Sequence, residues 1–185
     1  LPHLLPVDQT MTIQTPTTGV PLAAHHHGSN SAAEFDGGPD QWATPLRRQT
    51  GPGINGNAVQ VGTAEAITYV YDNNQEASLH WYHDHAESLT GVNVQAGLAG
   101  LYVVRDANEK ALQTGWKIPA AKHEVALVLQ DRTFDAQGQF VYSANPANSP
   151  TPLPGNFPAN SPSHMPEVFG DVILVNGKAW PSLSV

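Results

Sequence analysis

The chain has 185 residues, 40% hydrophobic and 13% charged, with 8 Lys and Arg against 16 Asp and Glu and a net charge of −8. That balance suits one globular domain with part of a second, and it sets aside a nucleic-acid partner, which calls for a basic surface. No apolar run nears the roughly 20 residues of a membrane helix, and the absence of cysteine rules out disulfides, thiolate catalysis, iron–sulfur clusters and cysteine zinc sites within the chain.

Sixteen Gly and sixteen Pro, with few long helix-forming runs, favour short strands joined by turns, and so an all-β class. Residues 1–22 read as apolar pieces cut by Pro and Thr, leading into "AAHHHG" at 23–28. Residues 28–57 are turn-rich and predict a long surface loop, of a length that is uncommon without a function. "EAITYVYDN" (65–73) and "ASLHWYHDH" (77–85) read as a hairpin turning at Asp72, Asn73 and Asn74. Residues 86–97 allow one or two helical turns, and 98–106 predict a buried strand. Further strands are expected in 123–135 and 170–181. The dense prolines of 145–166 predict an extended connector between them.

Nine histidines are the conspicuous chemistry. Two triplets stand out, His25-His26-His27 followed by Gly28, and His83-Asp84-His85. In an extended chain alternate side chains share a face, so each triplet sends its first and third residues the same way. Were the two strands adjacent, four imidazoles would converge, more than one catalytic zinc normally takes from one patch, and imidazole-only ligation suits copper, zinc, iron or nickel. By the same parity His26 points away from His25 and His27, and His80 lies opposite Trp81, His83 and His85; a partner-satisfied or solvent-facing ring is expected of both. His3, His123 and His164 lack a companion at ligand spacing and read as structural.

The string "HWYHDHAESLTGVNVQAGLAGLYVVRD" (80–106) resembles the second copper-binding motif of the multicopper oxidases, and "HHHGSNSAAEFDGGPDQW" (25–42) resembles the first. "LVLQDRTFDAQGQFVY" and "GDVILVNGKAWPSLSV" are similar to the end of the first domain and the entry to the second in the bacterial branch of spore-coat laccase, bilirubin oxidase and phenoxazinone synthase relatives. The resemblance implies a cupredoxin-like Greek-key β-sandwich, incomplete because relatives place several strands before a segment like "HLLPVD". It divides the chain into a partial first domain (1–144), a Pro-rich connector (145–169) and the start of a second domain (170–185).

The resemblance further implies copper, with His25 on the type 2 ion and His27, His83 and His85 on the type 3 pair. Asp36 matches an acid that supplies or relays protons; its place in "DGGP" also reads as a plain turn. The family's type 1 copper uses a Cys that this chain lacks. By this resemblance the chain is a fragment, inactive alone, of an enzyme that couples one-electron oxidation of small donors, phenolic or aromatic, to the four-electron reduction of dioxygen to water at a trinuclear cluster. Its implied partners are dioxygen, the donor and the remaining domains of a parent protein, acting outside the cytoplasm as family members often do. A cupredoxin-like binding or structural module without oxidase activity is the alternative, and a histidine-only mononuclear metal enzyme is a third reading.

Overall fold

A computed structural model describes residues 3–5, 19–55, 66–141 and 169–182. Two antiparallel sheets carry the architecture. The first has the order β1-β2-β3, built from β1 (Ala24–His27), β2 (Ser78–Asp84) and β3 (Ala99–Val104). The second has the order β5-β4-β6-β7, built from β4 (Leu129–Phe134), β5 (Phe140–Val141), β6 (Val172–Val175) and β7 (Lys178–Ala179). Three short helices, α1 (Pro52–Asn55), α2 (Thr90–Gln95) and α3 (Ala107–Thr114), join them.

β2 is the central strand of the first sheet, and this overturns the hairpin expected between 65–73 and 77–85. One edge of β2 is taken by β1, with His25 opposite His83 and His27 opposite Trp81, and the other by β3, with Trp81 opposite Leu101 and His83 opposite Ala99. No edge remains for residues 66–73, which form no strand despite their β-branched and aromatic composition. They pack by side chain instead: the Tyr69 hydroxyl accepts from the Ala24 amide at 3.2 Å, and the Tyr71 ring lies 4.8 Å from that of His26.

The expected surface loop is exposed at Asn30, Pro39, Asp40, Leu46 and Arg48 and packs inward at other positions. Gly37, Gln41, Ala43, Thr44, Gly51 and Ile54 are all buried, and the segment pairs its backbone with itself and with the chain before β1. Leu22 and Ala43 exchange hydrogen bonds at 3.0 and 2.9 Å, and the Gly51 amide donates to the Trp42 carbonyl at 2.8 Å. After β2, α2 realises the helical turns expected near residues 86–97. Its buried Val92 joins Leu5, Ala23, Ala86 and Leu89 in a small core at the end of the sheet where β1 begins and β2 stops.

Other elements depart from the sequence reading. α3 is a helix additional to the expected elements; Asp106 caps it by accepting from the Glu109 amide at 2.6 Å, an Asp-x-x-Glu signal readable in the sequence. The run 170–181 is a hairpin, turned by Asn176 and Gly177 at φ 50° and 76°, the dipeptide that two-residue hairpins prefer. β4 occupies only the end of 123–135 and pairs with β6. The connector at 145–166 and His164 lie outside the described residues. No described helix is long and apolar enough to cross a membrane.

Candidate metal centre

The pairing of β1 with β2 is what assembles the histidines. Residues directly opposite on antiparallel strands share a face, so the His25–His83 pair puts both imidazoles on one side, and the period of two adds His27 and Trp81. Ligand-capable atoms of His25, His27 and His83 all lie within 4.8 Å of one another. His85 sits just past the end of β2, held by its amide donating to the Ala23 carbonyl at 2.8 Å. Its ring stacks on His25 at 4.6 Å between centroids and is 5.7 Å from that of His83. All four sequence-selected histidines therefore come together, three tightly and the fourth beside them.

Three of the four rings are oriented by backbone carbonyls. Nδ1 of His25 lies 2.6 Å from the Asp36 carbonyl, Nδ1 of His83 lies 2.7 Å from the Asp84 carbonyl, and Nδ1 of His85 lies 3.1 Å from the Gly37 carbonyl. A carbonyl only accepts, so each of these nitrogens carries the proton and each Nε2 keeps its lone pair. Holding the far nitrogen this way is how proteins fix the tautomer and direction of metal-binding imidazoles. His27 differs: its Nδ1 lies 3.1 Å from Nε2 of His83, and its ring stacks on Trp81 at 5.1 Å. With Nδ1 of His83 protonated, that contact is a hydrogen bond donated by His27 to Nε2 of His83, and it holds the two rings together.

Burial favours the neutral form of His83. His83 is held below its ordinary pKa chiefly by burial, with neighbouring His25, His85 and His27 acting in the same sense and the Asp84 carbonyl opposing. Neutral imidazole is the form that binds metal. A donor set made only of neutral nitrogens fits copper in either oxidation state without adding charge.

The opposite face of the sheet bears out the parity argument and sharpens it. His26 is 1% exposed, and its Nε2 lies 3.1 Å from Nδ1 of His80, whose Nε2 meets the Ser78 hydroxyl at 2.9 Å. Tyr102 covers the His26 ring at 4.0 Å. His26 Nδ1 has no hydrogen-bond partner, and burial, with His80 and His25 nearby, holds its pKa low. His26 is thus a packed residue of the back face. His3 bonds the Leu5 backbone and Asn93, a structural role as expected, while His123 ends a single 3-10 turn at Ala121–His123.

Asp36 meets the site chiefly through its backbone. Its carbonyl orients His25, whereas the nearer carboxylate oxygen is 3.5 Å from the same Nδ1, with the side chain 41% exposed. Gly37 follows at φ 69° and presents the next carbonyl to His85. Three further residues support the cluster. Trp81, 4.3 Å from the His83 ring, walls its side. Asp84, between the two histidines of its triplet, and Asn93 on α2 are buried and hydrogen-bonded to each other. For Asn93 the sequence signal is a polar residue between two valines.

Comparison with known proteins places this geometry. The multicopper oxidase family pattern matches residues 21–109. A laccase of Bacillus stratosphericus is 39% identical over the whole chain, the laccase of Bacillus subtilis is 37% identical over 99% of it, and a bilirubin oxidase of Albifimbria verrucaria is 32% identical over 89%. The chain spans 33%, 32% and 22% of those relatives' lengths. Among solved structures, a variant of the McoA multicopper oxidase of Aquifex aeolicus matches 88% of the chain and 28% of its own, at TM-score 0.57 and 26% identity. A Pediococcus acidilactici laccase shares the fold at TM-score 0.55, 24% identity, 87% of this chain and 27% of its own. The cupredoxin-like all-β fold expected from the sequence is borne out by these neighbours. With relatives of one kind along its length and two histidine motifs meeting on one sheet face, the chain belongs to the multicopper oxidase family.

Proposed function

We propose that His25, His27, His83 and His85 are copper ligands, with His25 serving a type 2 ion and the other three a type 3 pair. In this reading the chain is part of a laccase-like oxidase that takes electrons from small donors, phenolic or aromatic, and reduces dioxygen to water. The observation that carries it is the convergence of four imidazoles of which three have Nδ1 engaged by the carbonyls of Asp36, Gly37 and Asp84. Copper, when bound, supplies the one-electron steps that link donor oxidation to oxygen reduction.

The chain's own residues do the rest. The carbonyls hold three rings in one tautomer, so no reorientation is needed when metal arrives. His83 is 7% exposed, which limits water at its nitrogen. Making water from dioxygen consumes protons, and the Asp36 carboxylate, partly open to solvent beside His25, is the group able to hold one there. Length beyond this chain, which the relatives have, would supply any further ligands.

Copper counting, electron paramagnetic resonance and oxygen uptake on the intact protein test the reading. The expected result is copper in the unsubstituted protein, with the type 2 signal and oxygen uptake both lost in His25→Ala. Tight binding of zinc in place of copper, or copper without oxygen uptake in the presence of a range of phenols and aromatic amines, would overturn it.

A further inference from the structure

A buried carboxylate lies between two of the proposed ligands, and the use of its oxygens is unusual for a residue in a strand. Asp84 is 4% exposed. Oδ1 accepts from the Ala23 amide at 2.9 Å; Oδ2 accepts from the Ala86 amide at 3.2 Å and from Asn93 Nδ2 at 2.8 Å. Asn93, fully buried, also donates to the Pro21 carbonyl at 3.1 Å, and its own carbonyl oxygen lies 2.9 Å from Nε2 of His3. Three stretches of chain, the first of them remote in sequence, are tied at this one side chain: the entry to β1, the turn after β2, and α2.

Two of the tied stretches, the entry to β1 and the turn after β2, lead directly to a proposed ligand. Ala23 precedes His25 by two residues, and its carbonyl accepts from the His85 amide. Ala86 follows His85. The backbone carbonyl of Asp84 itself accepts from His83 Nδ1, and its amide donates to the Leu98 carbonyl at 3.0 Å. The direction of the His83 ring therefore depends on where the Asp84 backbone sits, and the side chain pins that backbone. An apolar residue here would pack against Ala23, Ala86 and Leu89 without the cost of burying a charge. The carboxylate adds what packing cannot: fixed separations between three backbones.

We propose that Asp84, with Asn93 as its partner, is a positioning residue that sets the spacing between the two histidine motifs and the orientation of His83. The assignment rests on the copper reading above and deepens it.

Three substitutions in the intact protein separate positioning from general stability. Asp84→Asn keeps the shape but turns one acceptor into a donor facing N–H groups. Asn93→Ala removes one of three donors. Val92→Ala trims the same small core without touching the hydrogen bonds. Copper retention against a graded chelator, the paramagnetic resonance spectrum of bound Cu(II) and the denaturation midpoint are read on each. Asp84→Asn is expected to hold copper about 10–100-fold more weakly, the usual effect of losing an outer partner of a metal ligand, with an altered spectrum. Asn93→Ala should shift both in the same direction and by less. Val92→Ala should lose stability yet keep the parental affinity and spectrum.

Parental affinity and spectrum in Asp84→Asn would overturn this assignment alone, as would copper loss in Val92→Ala that matches Asp84→Asn at equal loss of stability. If Asp84→Asn does not fold, Asn93→Ala decides by the same criteria. An unsubstituted protein that takes up no copper overturns the functional reading and this assignment with it.

Discussion

Gly37 offers a perturbation whose size can be worked out beforehand. Its φ of 69° lies in the left-handed region, and a Cβ built there would fall 1.9 Å from the Ala24 carbonyl oxygen and 2.6 Å from its carbon. Gly138 has nearly the same φ, 74°, with nothing within 4 Å of the added atom. Gly138→Ala therefore carries only the left-handed penalty, roughly 1–2 kcal/mol. Gly37→Ala carries that and a backbone displacement, about 1–3 kcal/mol more, because Ala24 is held in register against Asp84 and cannot retreat freely. The displaced carbonyls are those that orient His25 and His85, so copper should be lost along with stability. Denaturant midpoints of the two variants, with copper counted on each, make the test. Gly37→Ala should be the less stable by a clear margin and copper-poor, while Gly138→Ala should remain copper-replete. Equal destabilisation with full copper in both would refute the claim that the close approach of Gly37 to β1 matters to the site.

The remaining predictions concern the two faces of the sheet. His26→Ala should cost roughly 2–4 kcal/mol by leaving a hole among Tyr71, Tyr102 and His80, and should leave copper binding intact; copper loss equal to that of His25→Ala would defeat the parity argument. Asp36→Asn keeps the main-chain carbonyl, so copper should stay while oxygen uptake slows on the order of 100-fold; unchanged turnover would confine residue 36 to orienting His25. His26 and His83 are both held below the ordinary value of 6.5. The unfolded chain then binds their protons more readily than the folded one, so their contribution is complete above that value and declines as pH falls below it. Denaturation midpoints of metal-stripped protein should accordingly drop between roughly pH 7 and pH 5; a rise over that interval would contradict it.

Sequence alone made legible whatever depends on a strand's period of two. That rule sorted His25 and His27 from His26, and His83 from His80, because it needs no knowledge of the partner strand. The mistaken hairpin at 65–73 shows the limit: Tyr69 and Tyr71 have strand-forming side chains, but whether a segment pairs depends on which edges are free, a tertiary fact. His85 lies past the end of β2, where parity no longer governs, and its stacking on His25 came from the Ala23 contact instead. Asp36 was noticed for its carboxylate, yet its shortest contact with the cluster is through the carbonyl, which every residue has and no composition can reveal. The roles of Asp84 and Asn93 are not legible for the related reason that their partners, Ala23 for the one and Pro21 and His3 for the other, lie far away along the chain.

The run of three histidines in β1 has a consequence for the order of events in folding. A slip of one residue against β2 would turn His26 toward the ligand side and send His25 and His27 to the back. In most strands such an error presents the wrong chemistry and is discarded, but here the misplaced strand still offers an imidazole to the same volume. Copper encountered during synthesis could hold that slipped arrangement with fewer ligands and slow its correction. The native register alone puts His25 and His27 together on the ligand face, with His26 among Tyr71, Tyr102 and His80, which makes folding first and metallation second the safer sequence for this chain.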